Sequence, residues 1–181
     1  MAILSSSRNK IIVLFLISVL VFVGWQYGLE NTYTKTLVGA TNISLGIFTK
    51  DTHIELEKKS PQSTLYQFRI YTIVDGRKGN YPQNTGGVLQ PFVIILSWQI
   101  FLFLAIKRRD AFKSLGANIG IFFLIQILFL IMLTNYYSST VQQYLFTMMM
   151  DSFYIIALIL IIKDNILYGV FKGKRNREIG K

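Results

Sequence analysis

Residues 11–27, IIVLFLISVLVFVGWQY, carry no charged side chain and end in the aromatic residues Trp25 and Tyr27. A helix that crosses a membrane needs about 20 apolar residues, with a lower limit near 17. The run therefore predicts a membrane-spanning helix, which we assign to residues 11–28. A secretory signal peptide has a similar position and length, but no small-residue cleavage site follows at the right distance, since Gly39-Ala40 lies too far downstream. The sequence favours an uncleaved anchor.

The rest of the chain repeats this apolar character three times after one long polar segment. Of the 181 residues, 52% are hydrophobic and only 15% are charged, and the mean hydropathy is +0.44. Soluble domains rarely combine so few charged residues with so many apolar ones. We predict a membrane all-α fold, in which four transmembrane helices carry a small α+β extracytoplasmic insertion between helices 1 and 2. The predicted segments are a cytoplasmic N-terminus (1–10), helix 1 (11–28), an extracytoplasmic segment (29–87), helix 2 (88–106), a cytoplasmic loop (107–114), helix 3 (115–134), a short external turn (135–143), helix 4 (144–162) and a basic cytoplasmic tail (163–181).

The positions of the basic residues predict the orientation in the membrane. The two termini and the 107–114 loop hold 12 Lys and Arg residues against three acids, whereas the long polar segment holds seven against five. Basic residues near spans favour the cytoplasmic side, and aromatic residues favour the interfaces. Both termini are therefore predicted to be cytoplasmic, with an outer aromatic belt. This belt comprises Trp25, Tyr27, Tyr136, Tyr137 and Tyr144.

The charge and the absence of cysteine narrow the setting and the partners. The net charge of +10 is concentrated next to the spans, where orientation and attraction to anionic lipids require it. The sequence therefore predicts a lipid bilayer as partner and no nucleic acid. A chain without cysteine lacks disulfide-stapled external loops, so a bacterial inner (plasma) membrane is the predicted location.

The polar segment is predicted to contain a β-hairpin. Residues 53–57 alternate polar and apolar side chains, and residues 65–74 are rich in β-branched and aromatic residues. The loop 59–63 connects them, and Asp75-Gly76 with residues 78–80 is expected to end the second strand. Residues 36–48 fit either a helix or a strand. An unpaired strand edge is a template for strand addition, which makes the second strand a candidate docking strand through Tyr66, Phe68, Ile70 and Thr72.

Asp151 is the one ionisable side chain inside a predicted span. At 1.5 Å per residue it lies about 10 Å from the outer end of helix 4, and the other helices place Gln126, Gln99 and Ser18 in a similar layer. One interpretation is an intramembrane polar cluster in which Gln126 and Gln99 bond to Asp151. Such a cluster is more typical of hydrogen bonding that holds helices together than of a proton-transfer path. The alternative is that helix 4 begins near Met148, which leaves Asp151 among the headgroups.

No motif predicts catalysis, a metal site or a cofactor. His53 is the only histidine, which excludes a multi-histidine metal site. Gly116 and Gly120 form a small-xxx-small pattern, which favours helix packing either within the chain or between two copies.

The layout resembles the small membrane proteins encoded beside exosortases, the multi-spanning enzymes that process sorting-tagged surface proteins. The corresponding stretches are residues 11–27, the strands within 53–74, the Tyr/Pro/Gly-rich entry 81–91 and the three closely spaced helices that follow. The resemblance implies a companion of such an enzyme, because the exosortase catalytic cysteine is absent. It assigns no functional residue.

The leading expectation is a non-enzymatic accessory subunit of an inner-membrane system for protein sorting, export or envelope assembly. Its partner would be a membrane protein, for which the resemblance implies an exosortase-like enzyme, and docking would use residues 65–74 and 36–48. The alternative is a small transporter or channel subunit that uses Asp151.

Overall fold

A computed structural model describes residues 6–49, 51–60, 66–74, 76–84 and 86–171. Over these residues the protein is mostly helical, with four helices long and apolar enough to cross a membrane and a small sheet between the first two of them. This agrees with the predicted helical architecture. Parts of the predicted N-terminus, of the 59–63 loop and of the basic tail, together with Asp75, lie outside the described residues.

The first of these helices is longer than the predicted helix 1 and continues well into the polar segment. It consists of α1 (Ser7–Gly24), a π-helical turn (Trp25–Leu29) and α2 (Glu30–Phe48). Gly28 adopts φ 128°, a conformation that L side chains rarely adopt, so the helix is kinked at this glycine. Residues 36–48, for which the sequence left helix and strand open, belong to α2.

The sheet has three strands, one more than the predicted hairpin. Strands β1 (His53–Lys58), β2 (Tyr66–Val74) and β3 (Arg77–Asn84) pair antiparallel in the order β1-β2-β3. The segment 78–80 was expected to end β2, but Gly76, at φ 75°, turns the chain directly into β3. Gly79 and Asn80 have low strand propensity, which is why the sequence predicts a break there. They nevertheless belong to β3, an exposed edge strand, where strand propensity is a weak guide.

The remaining helices pack around α4. A short helical turn, α3 (Gly86–Leu89), leads into α4 (Pro91–Ala105), with proline in the first turn, where its missing N–H costs nothing. Helices α5 (Arg108–Leu133) and α6 (Thr140–Tyr168) follow, separated by a 3₁₀ turn (Tyr136–Ser138). Helix α4 contacts α1, α5 and α6, whereas α2 contacts α5 and β1.

Both closing helices extend past the predicted boundaries. The predicted cytoplasmic loop 107–114 is mostly the first two turns of α5, and α6 begins before residue 144 and ends well beyond residue 162. The Ser139 hydroxyl caps the start of α6 by accepting from the Gln142 N–H, and Gly169, at φ 58°, ends it. The charged pair Lys163 and Asp164, predicted to lie in the tail, is therefore helical.

Candidate functional sites

The predicted intramembrane cluster does not form. Asp151 is exposed on α6, and no hydrogen bond among the described residues joins it to Gln126 or Gln99. The Ser18 hydroxyl donates to the carbonyl of Leu14 in its own helix (2.9 Å). The prediction was wrong because depth along a helix was matched without the rotation about its axis, which turns Asp151 away from the bundle.

Gln126 instead joins α5 to α2 and α3. It is fully buried, and its Nε2 donates to the Val88 carbonyl (2.6 Å) while its Oε1 accepts from the Tyr33 hydroxyl. The Tyr33 ring stacks on Phe92, with centroids 4.0 Å apart. These contacts hold α2 against α4 and α5 just beyond the kink.

Gln99 belongs to a second group of buried polar residues, centred on Asp164. The Asp164 Oδ2 accepts from Trp98 Nε1 (2.9 Å), Ser114 Oγ (2.7 Å) and Asn118 Nδ2 (2.6 Å). Gln99 Nε2 lies 3.5 Å from the same oxygen. These donors come from α4 and α5, whereas the carboxylate comes from α6, so one side chain ties three helices together.

The other carboxylate oxygen faces a cation. Lys163 Nζ lies 3.2 Å from Asp164 Oδ1 and donates to Asn118 Oδ1 (2.5 Å). Asp164 is fully buried, whereas the Lys163 side chain is partly exposed. A buried carboxylate is tolerated when it is paired and hydrogen-bonded, and both conditions hold here. We call these residues the Asp164 cluster; its members are Trp98, Gln99, Ser114, Asn118, Lys163 and Asp164.

Sequence reasoning missed Asp164 because it counted the residue as part of the tail. A signal was present, since Phe153, Ala157, Leu160 and Asp164 are spaced by four, three and four residues and all four are buried. Continuing that stripe by one more turn would have placed the acid on the inner face of α6.

The helix-packing prediction for Gly116 and Gly120 fails within one chain. A Cβ added at either position would meet nothing within 4 Å. Neither glycine therefore lets a neighbouring helix approach closely in this structure. A contact between two copies of the chain stays a prediction.

The predicted docking strand lies at the centre of the sheet. Strand β2 pairs with β1 on one side and with β3 on the other. Phe68, Ile70 and Thr72 are buried, and Tyr66 is half-buried. The prediction of strand addition at this strand is wrong, because the third strand occupies the edge that the hairpin would have left open.

Both true edges of the sheet carry features that oppose strand addition. On β1, the Asn42 side chain bonds the backbone of Ile54 twice, donating to its carbonyl and accepting from its N–H (2.8 Å each). On β3, Pro82 lacks a donor and Lys78 adds charge, both common means of protecting an edge strand.

The outward face of the sheet is a polar ladder. Arg69 pairs with Glu57 across β1 and β2 (2.7 Å) and donates to Asn80 on β3 (3.0 Å). Hydrogen bonds from Arg69 and Gln67 hold the pKa of the Glu57 carboxyl below its ordinary value. This face is polar and well paired.

Helix α2 exposes large apolar side chains near its end. Ile43, Ile47 and Phe48 are 74%, 75% and 77% exposed. They fall within residues 36–48, the other stretch for which the sequence predicted docking. We call these three residues the α2 apolar face.

A cleft of about 630 Å³ lies beside the kink. Its lining comes from the π-helical turn and the start of α2, from Lys59 just after β1 and Tyr66 at the start of β2, and from Asn84, Gly86 and Gln90. We call it the outer cleft; it is lined by Trp25, Gln26, Tyr27, Gly28, Glu30, Asn31, Lys59, Tyr66, Asn84, Gly86 and Gln90.

Comparisons with known proteins add no identification. No family model, no curated protein and no solved structure matches this chain. The chemistry of the sites and the arrangement of the helices therefore carry the functional argument.

Proposed function

We propose that the four long helices cross a bacterial inner membrane with both termini in the cytoplasm. The second span, Gly86–Ala105, has 20 residues, which is about 30 Å of helix and matches the hydrocarbon thickness. A Cβ on Gly87 would lie 3.5 Å from Met150 Cγ, so the adjacent Asp151 lies level with the outer end of that span. This supports an interfacial Asp151 over one in the hydrocarbon core.

We propose that the protein is a non-enzymatic accessory subunit that docks a membrane-protein partner in a sorting, export or envelope-assembly system. The observation that carries this proposal is the α2 apolar face. The helical stretch Ser7–Phe48 has 42 residues, about 63 Å if straight and roughly twice the hydrocarbon thickness. The helix is therefore long enough for the end of α2 to extend beyond the bilayer. An apolar face exposed to water there is expected to be covered by a partner protein.

The size of the α2 apolar face suits an anchoring contact. Burying one large aliphatic or aromatic side chain contributes about 1.5–3 kcal/mol. Three such side chains on one helix end can therefore supply a substantial part of the free energy of an interface. An exosortase-like enzyme is the first partner to test, because the chain's layout resembles that of exosortase companions.

The transport alternative has less support. It depends on Asp151 within a polar cluster, and the structure separates Asp151 from both Gln126 and Gln99. The Asp164 cluster joins three helices through paired groups, which suits a rigid scaffold.

The test places a photo-crosslinking amino acid at Ile43 or Ile47 in cells, with Ile73 as the matched control. Ile73 is an exposed isoleucine on the sheet (40%). We expect the same membrane protein to crosslink at Ile43 and Ile47 and not at Ile73.

Substitution then measures the contribution of the contact. Ile47→Asp should reduce co-purification of that partner at least tenfold, whereas Ile73→Asp should leave it unchanged. Crosslinks to lipid alone, or an equal loss in both variants, would contradict docking through the α2 apolar face.

A further inference from the structure

The outer cleft contains two charged side chains without ionic partners. Glu30 and Lys59 both line it, and neither belongs to an ion pair among the described residues. Glu57 differs from both, because it is half-buried on the sheet and pairs with Arg69. One cleft therefore presents a carboxylate and an ammonium that are each available to a ligand.

Two neutral polar groups in the same cleft are also incompletely bonded. Trp25 is 1% exposed, yet its Nε1 completes no hydrogen bond of standard geometry, although it is directed towards the Glu30 carboxylate. Asn31 Oδ1 is buried without a partner. A buried indole N–H usually finds an acceptor, and a buried amide oxygen usually finds a donor. Both atoms are closed off from the cleft, so Glu30 and Lys59 are the charged groups of the lining that a ligand can reach.

The position of the cleft indicates where its ligand comes from. It lies at the end of α1 and at Gly86 and Gln90, where the second span begins. If these helices cross a membrane, this level is the headgroup layer. Tyr27, at the rim, is 89% exposed. The volume of about 630 Å³ is within the range of about 300–1,000 Å³ that is usual for small-ligand sites.

We propose that the outer cleft binds the phosphoethanolamine headgroup of a phospholipid. The primary ammonium would donate to the Glu30 carboxylate, and the phosphate would accept from the Lys59 ammonium. A primary ammonium has three donors. A choline headgroup has no N–H to donate, and a glycerol headgroup has no cation for Glu30. The proposal does not depend on the accessory role.

The experiment measures lipid retention by native mass spectrometry of the full chain. The protein is extracted from nanodiscs containing equal amounts of phosphatidylethanolamine, phosphatidylcholine and phosphatidylglycerol. The variants are Glu30→Gln and Lys59→Gln, and the matched controls are Lys35→Gln and Glu55→Gln, which remove exposed charges outside the cleft. Melting temperatures verify that each variant is folded.

Wild type is expected to retain one phosphatidylethanolamine in at least tenfold preference over the other two lipids. Glu30→Gln should remove this preference, and Lys59→Gln should reduce retention of every phospholipid. Equal retention of all three lipids by wild type, or unchanged retention of the phospholipids in Lys59→Gln, would overturn the proposal. Because Lys59 is exposed in the turn after β1, Lys59→Gln decides the question even if Glu30→Gln does not fold. Free phosphoethanolamine, added as a competitor, should displace the lipid only at high excess; displacement at equal concentration would identify a soluble ligand and overturn the lipid assignment.

Discussion

Removing the Asp164 carboxylate should destabilise the helix bundle more than any other single change of charge. Asp164→Leu keeps a side chain of similar size and removes the acceptor for Trp98, Ser114 and Asn118. It also leaves the Lys163 ammonium beside a buried apolar group. The variant therefore removes bonds to two neighbouring helices at once.

Two reference values bound the expected loss of unfolding free energy. Breaking a buried ion pair in a soluble protein costs about 3–5 kcal/mol. Interhelical hydrogen bonds in membrane proteins average about 0.6 kcal/mol, so the three bonds to Oδ2 give about 2 kcal/mol. We expect a loss of about 2–5 kcal/mol for Asp164→Leu. Asp164→Asn, which keeps one acceptor oxygen, should lose about half as much.

The assay is reversible unfolding in mixed detergent, followed by tryptophan fluorescence. Trp98 Nε1 bonds directly to the carboxylate, so its emission should change in the folded variant as well. Asp151→Asn is the matched control, because Asp151 lies on the same helix and is exposed. A loss below about 0.5 kcal/mol in Asp164→Leu, or equal losses at both positions, would refute the structural role of the cluster.

Three further predictions concern the kink, the sheet edge and pH. Gly28→Ala should destabilise the protein by about 1–2 kcal/mol, because φ is positive there. Gly116→Ala should stabilise it by about 0.5–1 kcal/mol, because a Cβ at this helical position meets no neighbouring atom. Thermal unfolding measures both changes. Asn42→Ala should speed hydrogen exchange at the β1 amide that it covers, with β2 amides as control. The pKa of Glu57 is lowered from its ordinary value of 4.5, so its pairing with Arg69 stabilises the fold above about that pH and is lost as the pH falls through the lowered pKa. Glu57→Gln should reduce the loss of melting temperature between pH 7 and pH 3, and an unchanged loss would contradict this.

The long apolar helices could be predicted from the sequence because their signal is local. A run without charge is apolar whichever way the helix turns, so the predicted helix 88–106 differs from the observed stretch Gly86–Ala105 by two residues at its start and one at its end. The boundaries failed where polar residues continue a helix. Residues 30–48 are rich in Thr, Asn and Gly, which are weak helix formers, and tertiary contacts with α5 and β1 stabilise α2.

The third strand could not be predicted because its composition opposes it. Residues 77–84 include two basic residues, a glycine and a proline, and alternation of apolar side chains is absent. Such a strand forms because β2 offers it a complete row of partners. The charged residues and the proline that protect an edge strand from pairing with other chains also lower its strand propensity, so the sequence does not predict the strand.

The candidate site was misplaced for a reason that helix geometry makes explicit. Asp151 and Asp164 are 13 residues apart on α6, and at about 100° per residue they point about 140° away from each other. Phe153, Ala157 and Leu160 all lie within about 40° of the Asp164 direction on the same scale, and all are buried. Only one of the two acids can therefore face the bundle, and the apolar stripe selects Asp164. Depth in the span favoured Asp151, but the direction in which the side chain points decides which acid is buried.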